Sequence, residues 1–527
     1  MNKLTKMFVA IAILTGSLFG SGITANLPST ELQPTGKDAE SASPRRPALY
    51  ETSKGFDDAA ATLDSLTIEV TLYPGDYLAV YADVSAETLG YTPGESPLDS
   101  AMEAWIDNAP EDLRRQLRVN LAALDPSYYS IYDGMLAGAD PLWRDELFYC
   151  LAHLGHGILE LPELSYLLPE NVREIYARDS LLSYVEIVDM GTPGGGDHRT
   201  VAKYITTDTS MAGYDTVTLD AEMYYRYVMF PKITDETPQY IDPATGDPVD
   251  PWAGHFWRSW FWSVAETTGS FECWALGDSL ESTEYLWRGV RNNSDDNGAV
   301  GIVTQWIRNS LEFDSDAERP HQPVRIYAKH MGRCGEHEDI TAAAARVGLI
   351  PARGIEAIST DHVWNEFYTG WRWAGWEPVN NMVDNQWVYA DGWGKEFATV
   401  FEHTGKGRMV PVTRRYSHEI AEVNMTATDS DGYPLDGAKI MVAAENSGSI
   451  YYDCILFTDG RGEATAVVGD GKHIYWRVDS EIGCNPEPGY VDNLVTSTAD
   501  GAGYTRSISV PAAIPSLDWE PDSTTES

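Results

Sequence analysis

The chain is predicted to be a multidomain α+β protein, and three local patterns carry that expectation. Helix-period apolar residues fill its first third, an alanine-rich helix followed by two short strands lies past its middle, and Asp-Gly turns separate alternating strands near its end. Its 527 residues, 43% of them hydrophobic, suffice for about three domains with real cores.

Lys3 and Lys6 precede an apolar run from Met7 to Phe19, and small residues follow to Ala25, which reads as a signal peptide over 1–25. No later run reaches about 18 apolar residues, so no membrane span is expected and the mature chain reads as exported and soluble. Residues 26–55, rich in Ser, Thr, Pro and charge, form a flexible leader. A mostly helical domain is expected over 56–190. Short strands open it, where LTIEVTLY alternates, and then MEAWIDNAPEDLRRQLRVNLAAL and DELFYCLAHLGHGILEL repeat apolar residues at helical spacing.

Residues 191–295 form an aromatic-rich lead-in, with MYYRYVMF at 223–230 and HFWRSWFW at 255–262. Such density packs cores more often than it lines grooves. If a peptide or sugar groove exists, Trp257, Arg258, Trp262 and Trp364 are its candidate residues. A catalytic core is expected over 296–415, a β-sandwich over 416–512 and an acidic tail over 513–527. In the sandwich, VNMTATDSDGYPLDGAKIMVAAE, ILFTDGRGEATAVVG and HIYWRVDSEIG alternate between turns.

The formal net charge of −43 repels nucleic acid and anionic membrane surfaces, so neither is an expected partner. Acidity of this kind is foremost a solubility or salt adaptation. It names no substrate.

The chemistry concentrates in GRCGEHEDITAAAARVGLIPAR at 332–353 and DHVWNEFYTGWRWAGWEP at 361–378. Acids at Glu336, Glu338 and Asp339, alanines at 342–345, then Gly348 and Pro351 predict a helix that begins at Cys334 and stops at Gly348. A thiol with an ordinary pKa of about 8.5 is mostly protonated at neutral pH. A helix N-terminus and a histidine are what would activate it. Two strands, His362–Tyr368 and Trp371–Glu377, joined by a turn at Thr369-Gly370, would place His362 opposite Glu377. Thiol, imidazole and carboxylate then follow in the order that acyl transfer needs.

Cys334 before its helix, GLIPAR at 348–353, HVWNEFY from His362 and WEP at 376–378 together resemble the transglutaminase-like cysteine-enzyme superfamily, over roughly 296–395. The resemblance implies a papain/transglutaminase-like core, with a Cys-bearing helix packed on an antiparallel sheet. It implies Cys334 as nucleophile, His362 as general base and acid, and Glu377 as the orienting group. Family members commonly carry aspartate where Glu377 stands; Asp384 and then the Asn380-Asn381 pair are the substitutes. An oxyanion hole would combine the Cys334 N–H with one upstream donor, for which Trp306 and Tyr327 are candidates. Residues 416–512 resemble carboxypeptidase-regulatory or prealbumin-like β-domains.

The function expected is an exported thiol enzyme that cleaves an amide or peptide bond through a thioester, acting on a protein or peptide substrate. Acyl transfer to amines, or non-catalytic binding of a peptide or polymer by a degenerate core, are the alternatives. The β-sandwich is the candidate contact with a surface or extracellular polymer. No cofactor and no metal are expected. Cys334 and His337 form a C-x-x-H pair that His330 or His362 could complete, but a second closely spaced ligand pair is missing. His153, His156 and Glu160 share a helical face without the HExxH spacing, and the acidic loops at 242–250 and 429–436 do not fit a calcium loop. With Cys334 a free thiol, four cysteines remain, and Cys454 with Cys484 and Cys150 with Cys273 are the favoured disulfides of three pairings.

Overall fold

The computed structural model describes residues 96–207, 213–268, 271–403, 409–480 and 482–511. It also describes the backbone of three short strands before them, Val9–Ile11, Leu78–Asp83 and Thr88–Pro93, which pair antiparallel. Those strands apart, the expected signal peptide, leader, LTIEVTLY strand and acidic tail lie outside the described residues.

The first described third is helical, with helices at Ser100–Asn108, Arg114–Ala122, Tyr129–Gly138, Arg144–His153 and Leu164–Asp179. Aspartates start three of them, directly or through a short 3-10 turn. Asp99 accepts the Met102 N–H, and Asp125 and Asp140 accept the N–H groups of Ser127 and Leu142, each just ahead of a proline suited to a first helical turn. Their apolar faces, among them Met102, Ile106, Leu117, Leu151, Val172 and Ile175, join one buried cluster that continues through Trp257, Trp306 and Ile340 to Val383. The helical block therefore packs directly onto the region that carries Cys334.

Between the two lie an antiparallel sheet of Val185–Met190, Arg199–Thr207 and Tyr214–Thr218 and the aromatic helix Trp257–Ser263. The cysteine helix runs Cys334–Val347 with Gly348 at its C-cap, as its sequence predicts. It packs on a six-stranded antiparallel sheet. In spatial order the strands are Met382–Val383, Trp373–Glu377, His362–Tyr368, Ala352–Ala357, Phe401–His403 and Val410–Pro411.

The register between the second and third of these strands differs from expectation. Tyr368 pairs with Trp373 and Asn365 with Trp376, so Glu377 stands opposite Trp364 and diagonal to His362. The cause is a four-residue loop, Thr369–Arg372, in which the Thr369 N–H bonds the Arg372 carbonyl and Gly370 takes φ +105°. The second strand thus opens at Trp373, two residues later than expected. A shift of two keeps every side chain on its face, and a diagonal pair still lies within reach of a long side chain.

After residue 415 two further sheets share one apolar core. Glu463–Gly469, Ile420–Thr428 and Gly503–Ser509 form one. Ser449–Phe457, Lys439–Asn446, Ile474–Ser480 and Gly483–Asn485 form the other, with Asp492–Val495 also on Ile474–Ser480. Val423, Met425, Ala466 and Ile508 from the first meet Ile440, Val442, Trp476 and Val478 from the second. Alternating burial along Ile420–Thr428 is the imprint of one face turned inward.

The favoured disulfides do not form; among the described residues no disulfide joins the five cysteines. Cys454 and Cys484 sit on opposite outer strands of the same sheet with two strands between them. Three inter-strand spacings amount to about 14 Å, twice the Cα separation of about 7 Å that a disulfide tolerates. Cys150 Sγ lies 3.6 Å from Met229 Sδ, and Cys273 lies in a separate cluster with His330.

Candidate active site

Cys334 is the first residue of its helix, where N–H groups lack intrahelical acceptors. Glu336 closes that end by accepting the Arg333 N–H at 2.9 Å, and Arg319 holds the same carboxylate at 2.9 Å. Gly332 is needed just upstream, because a Cβ there would lie 2.4 Å from the Cβ of Glu336. Burial works against a charged sulfur at Cys334. The hydrogen bond and charge of His362, with the Val363 N–H, outweigh it and hold the thiol below its ordinary value.

His362 opens its strand directly after Asp361, which takes a left-handed conformation at φ 49°. Burial opposes its cation, while the Cys334 thiol and the Glu377 carboxylate raise its pKa. Glu377 Oε2 lies 3.7 Å from His362 Nε2, beyond hydrogen-bond length and within ion-pair range, so Nδ1 is left for the thiol. Glu377 is itself held, with Asn380 Nδ2 donating to one oxygen at 2.8 Å and the Tyr389 hydroxyl to the other at 2.7 Å. The diagonal register suits the glutamate's extra methylene, which spans the distance that direct pairing would have removed. Asp384 is engaged elsewhere, by Arg291 at 2.7 Å and Arg372 at 2.6 Å, and Asn380 serves Glu377 rather than replacing it.

Trp364 stacks beneath the imidazole, centroids 5.3 Å apart, and packs on Tyr389, Phe397 and Tyr416. At 1% exposure it is a floor and not a groove wall. Tyr389 also meets His362 edge-on, as does Trp393, whose centroid is 6.1 Å away and which is 42% exposed. Neither tyrosine nor Trp393 was marked by sequence; the signal was their place on the segment after WEP, which returns to the sheet.

Five other expected site residues lie elsewhere. The Trp306 indole N–H donates to the Trp274 carbonyl at 3.0 Å, and its ring stacks on Tyr327, so it is no oxyanion donor. Tyr327 is fully buried and its hydroxyl faces Cys273. Trp257 and Arg258 are core: the Arg258 guanidinium donates to Asn171 Oδ1 at 2.6 Å and to the Val228 carbonyl at 2.7 Å. It also covers the Trp257 ring at 4.7 Å. Trp262 is half-buried with Arg178 over its ring at 4.8 Å.

A second thiol–imidazole cluster went unmarked. His330 Nδ1 meets the Ser310 carbonyl at 2.9 Å, its Nε2 lies 3.9 Å from Glu266, and Cys273 hydrogen-bonds it. His330 thus sits with Cys273 and not with Cys334, so it does not add to the C-x-x-H pair, which the sequence had already set aside as a zinc site. Among the described residues, Asp235, His321 and Asp339 place ligand atoms within 4.8 Å of one another and could hold a cation.

Residues 284–392 match the family model described as the Transglutaminase-like superfamily. The chain carries a transglutaminase-like domain. It is 33% identical over 117 residues to a peptide-N(4)-(N-acetyl-beta-glucosaminyl)asparagine amidase of Gallus gallus, covering 22% of this chain and 18% of the relative. The human protein of that name is 31% identical over 117 residues, covering 22% and 18%. That of Caenorhabditis elegans is 28% identical over 137 residues, covering 26% and 22%. The chain spans about a fifth of the length of these curated relatives. Cys334, His362 and Glu377 all fall inside the matched domain. Among the described residues no helix is long and apolar enough to cross a membrane.

Proposed function

We propose that the protein is an exported thiol amidase that hydrolyses an amide bond of a peptide or glycopeptide through a thioester at Cys334. The observation that carries the reading is the convergence of a half-buried thiol at a helix N-terminus, an imidazole bonded to it, and a carboxylate 3.7 Å from the far ring nitrogen. His362 takes the thiol proton, and the sulfur attacks the amide carbon. As the C–N bond breaks, His362 returns the proton to the leaving nitrogen. Water, deprotonated by the same imidazole, then opens the thioester and frees a carboxylic acid and Cys334. Glu377 keeps the ring oriented and offsets the imidazolium charge.

Amide cleavage is favoured over other acyl chemistry because the relatives named above are amidases, acting by name on a glycosylated asparagine. The exposed Trp393 beside His362 would give such a substrate a flat apolar surface. Export rests on the Lys3, Lys6 and Met7–Phe19 pattern.

The test is incubation of the purified protein with an asparagine-linked glycopeptide and its unglycosylated counterpart, followed by mass analysis. Conversion of asparagine to aspartate that vanishes in Cys334→Ala supports the reading, and adduct formation with an added primary amine would assign transfer instead. Turnover retained in Cys334→Ala refutes the mechanism.

A further inference from the structure

The turn that delivers His362 into the site is Ile358–Thr360, and the peptide of Ser359 at its centre is bonded on both sides by residues from beyond position 415. Asp453 Oδ1 accepts the Ser359 N–H at 2.7 Å, and Asn446 Nδ2 donates to the Ser359 carbonyl. The other Asp453 oxygen accepts the Thr399 N–H at 2.8 Å and the Thr399 hydroxyl at 2.9 Å. Thr399 leads into Phe401–His403, which pairs with Ala352–Ala357 on the far side from the histidine strand. One carboxylate therefore clamps the segments that flank the central strand.

Asp453 is fully buried and Ser359 is 4% exposed, so water does not replace these bonds if they are lost. Burial pushes the Asp453 carboxyl above its ordinary value, while the Ser359 and Thr399 bonds pull it down. A buried carboxylate that accepts several donors holds them in fixed directions, and its loss leaves N–H groups unsatisfied. The turn's central N–H, that of Ser359, is thus held from outside its own peptide. The turn's internal bonds run from the Asp361 N–H to the Ile358 carbonyl and from the Thr360 hydroxyl to the Ala357 carbonyl.

We infer that the C-terminal β-region is a working part of the active site, with Asp453 a positioning residue that sets the His362 imidazole against the Cys334 thiol. This rests on the thiol–imidazole reading above. A small error in the turn displaces His362 directly, because only Asp361 separates the two. Removal of the clamp weakens the hydrogen bond that lowers the Cys334 pKa, and the thiol drifts back towards its ordinary value.

The experiment is the pH profile of iodoacetamide alkylation at Cys334, read by peptide mass analysis on the full-length folded protein. Three variants are compared with wild type: Asp453→Asn, Asn446→Ala and Lys472→Ala. Lys472 pairs with Glu396 at 3.3 Å across the same junction but does not touch the turn. Asp453→Asn is expected to raise the mid-point, Asn446→Ala to raise it less, and Lys472→Ala to leave it in place. Asn446 is exposed at the surface of the junction, so its variant keeps the test open if Asp453→Asn fails to fold. A wild-type profile shifted below that of a free thiol, yet unchanged in both turn variants, overturns the inference and spares the mechanism. An unshifted wild-type profile defeats the mechanism instead.

Discussion

Two cysteines in this molecule have a histidine partner and a carboxylate beyond it, and they differ in what surrounds the sulfur. At Cys334 the sulfur is half-buried at a helix N-terminus, and the carboxylate behind His362 is itself held by Tyr389 and Asn380. At Cys273 the sulfur is 4% exposed on a short strand. The carboxylate behind His330 is the side chain of Glu266, 39% exposed at 3.9 Å, and His330 bonds the Ser310 carbonyl through Nδ1. In both the thiol is lowered and the imidazole raised. A favourable pKa is thus common to the two. Access, a helix N-terminus and an oriented carboxylate are found only at Cys334, and a reacting thiol needs all three.

The widest separation between the two clusters is expected on deleting the sulfur. Cys334→Ala should lower turnover by about 10⁴-fold or more, as when a nucleophile is removed from a concerted set. Cys273→Ala should leave turnover within about twofold, since Cys273 is engaged with His330 away from the site. Equal losses would erase the distinction. Next in size is the carboxylate. Glu377→Gln should reduce kcat by about 10²- to 10⁴-fold through loss of the oriented imidazole, whereas Glu266→Gln should have no effect on kcat.

A smaller effect follows from the hydroxyl that holds Glu377. Tyr389→Phe removes a bond to a buried carboxylate, a loss of about 1.5–3 kcal/mol, so kcat should fall between about tenfold and 150-fold with KM little changed. A rise in KM alone would place Tyr389 in substrate binding instead.

The last prediction concerns stability around the same helix. His337 is 4% exposed, and burial pushes its pKa down to about 4 from 6.5. An unfolded chain takes up a proton there near 6.5 while the folded one does not until about pH 4. Stability contributed by the neutral ring is therefore present above pH 6.5 and is lost as pH falls towards 4, by up to about 3 kcal/mol. Denaturant titrations of His337→Phe should show a flatter loss over that window.

The sequence made the cysteine helix and the histidine strand legible to the residue, because acids, alanines, Gly348 and Pro351 mark a helix unambiguously and HVWNEFY alternates. Glu377 was legible in identity and not in register. Gly370 announces a turn, but the length of the Thr369–Arg372 loop depends on the Thr369 N–H reaching the Arg372 carbonyl, which composition does not encode. Arg258 and Trp257 look alike in a groove or a core. What decides is that Val228 and Asn171, remote in sequence, supply the acceptors for a buried guanidinium. Trp306 failed as an oxyanion donor for a similar reason, its N–H being taken by Trp274. The Asp453 clamp was out of reach altogether, since it joins positions 94 residues apart.

The most direct test of the thiol–imidazole pair is the rate of iodoacetamide alkylation at Cys334 against pH, in wild type and in His362→Ala, with Cys273 followed in the same digest. The expected result is a Cys334 mid-point well below about 8.5 that rises when His362 is removed, with Cys273 unreactive in the folded protein. A slow, ordinary profile at Cys334 that ignores His362, or faster alkylation at Cys273, would contradict the assignment of Cys334 as the nucleophile.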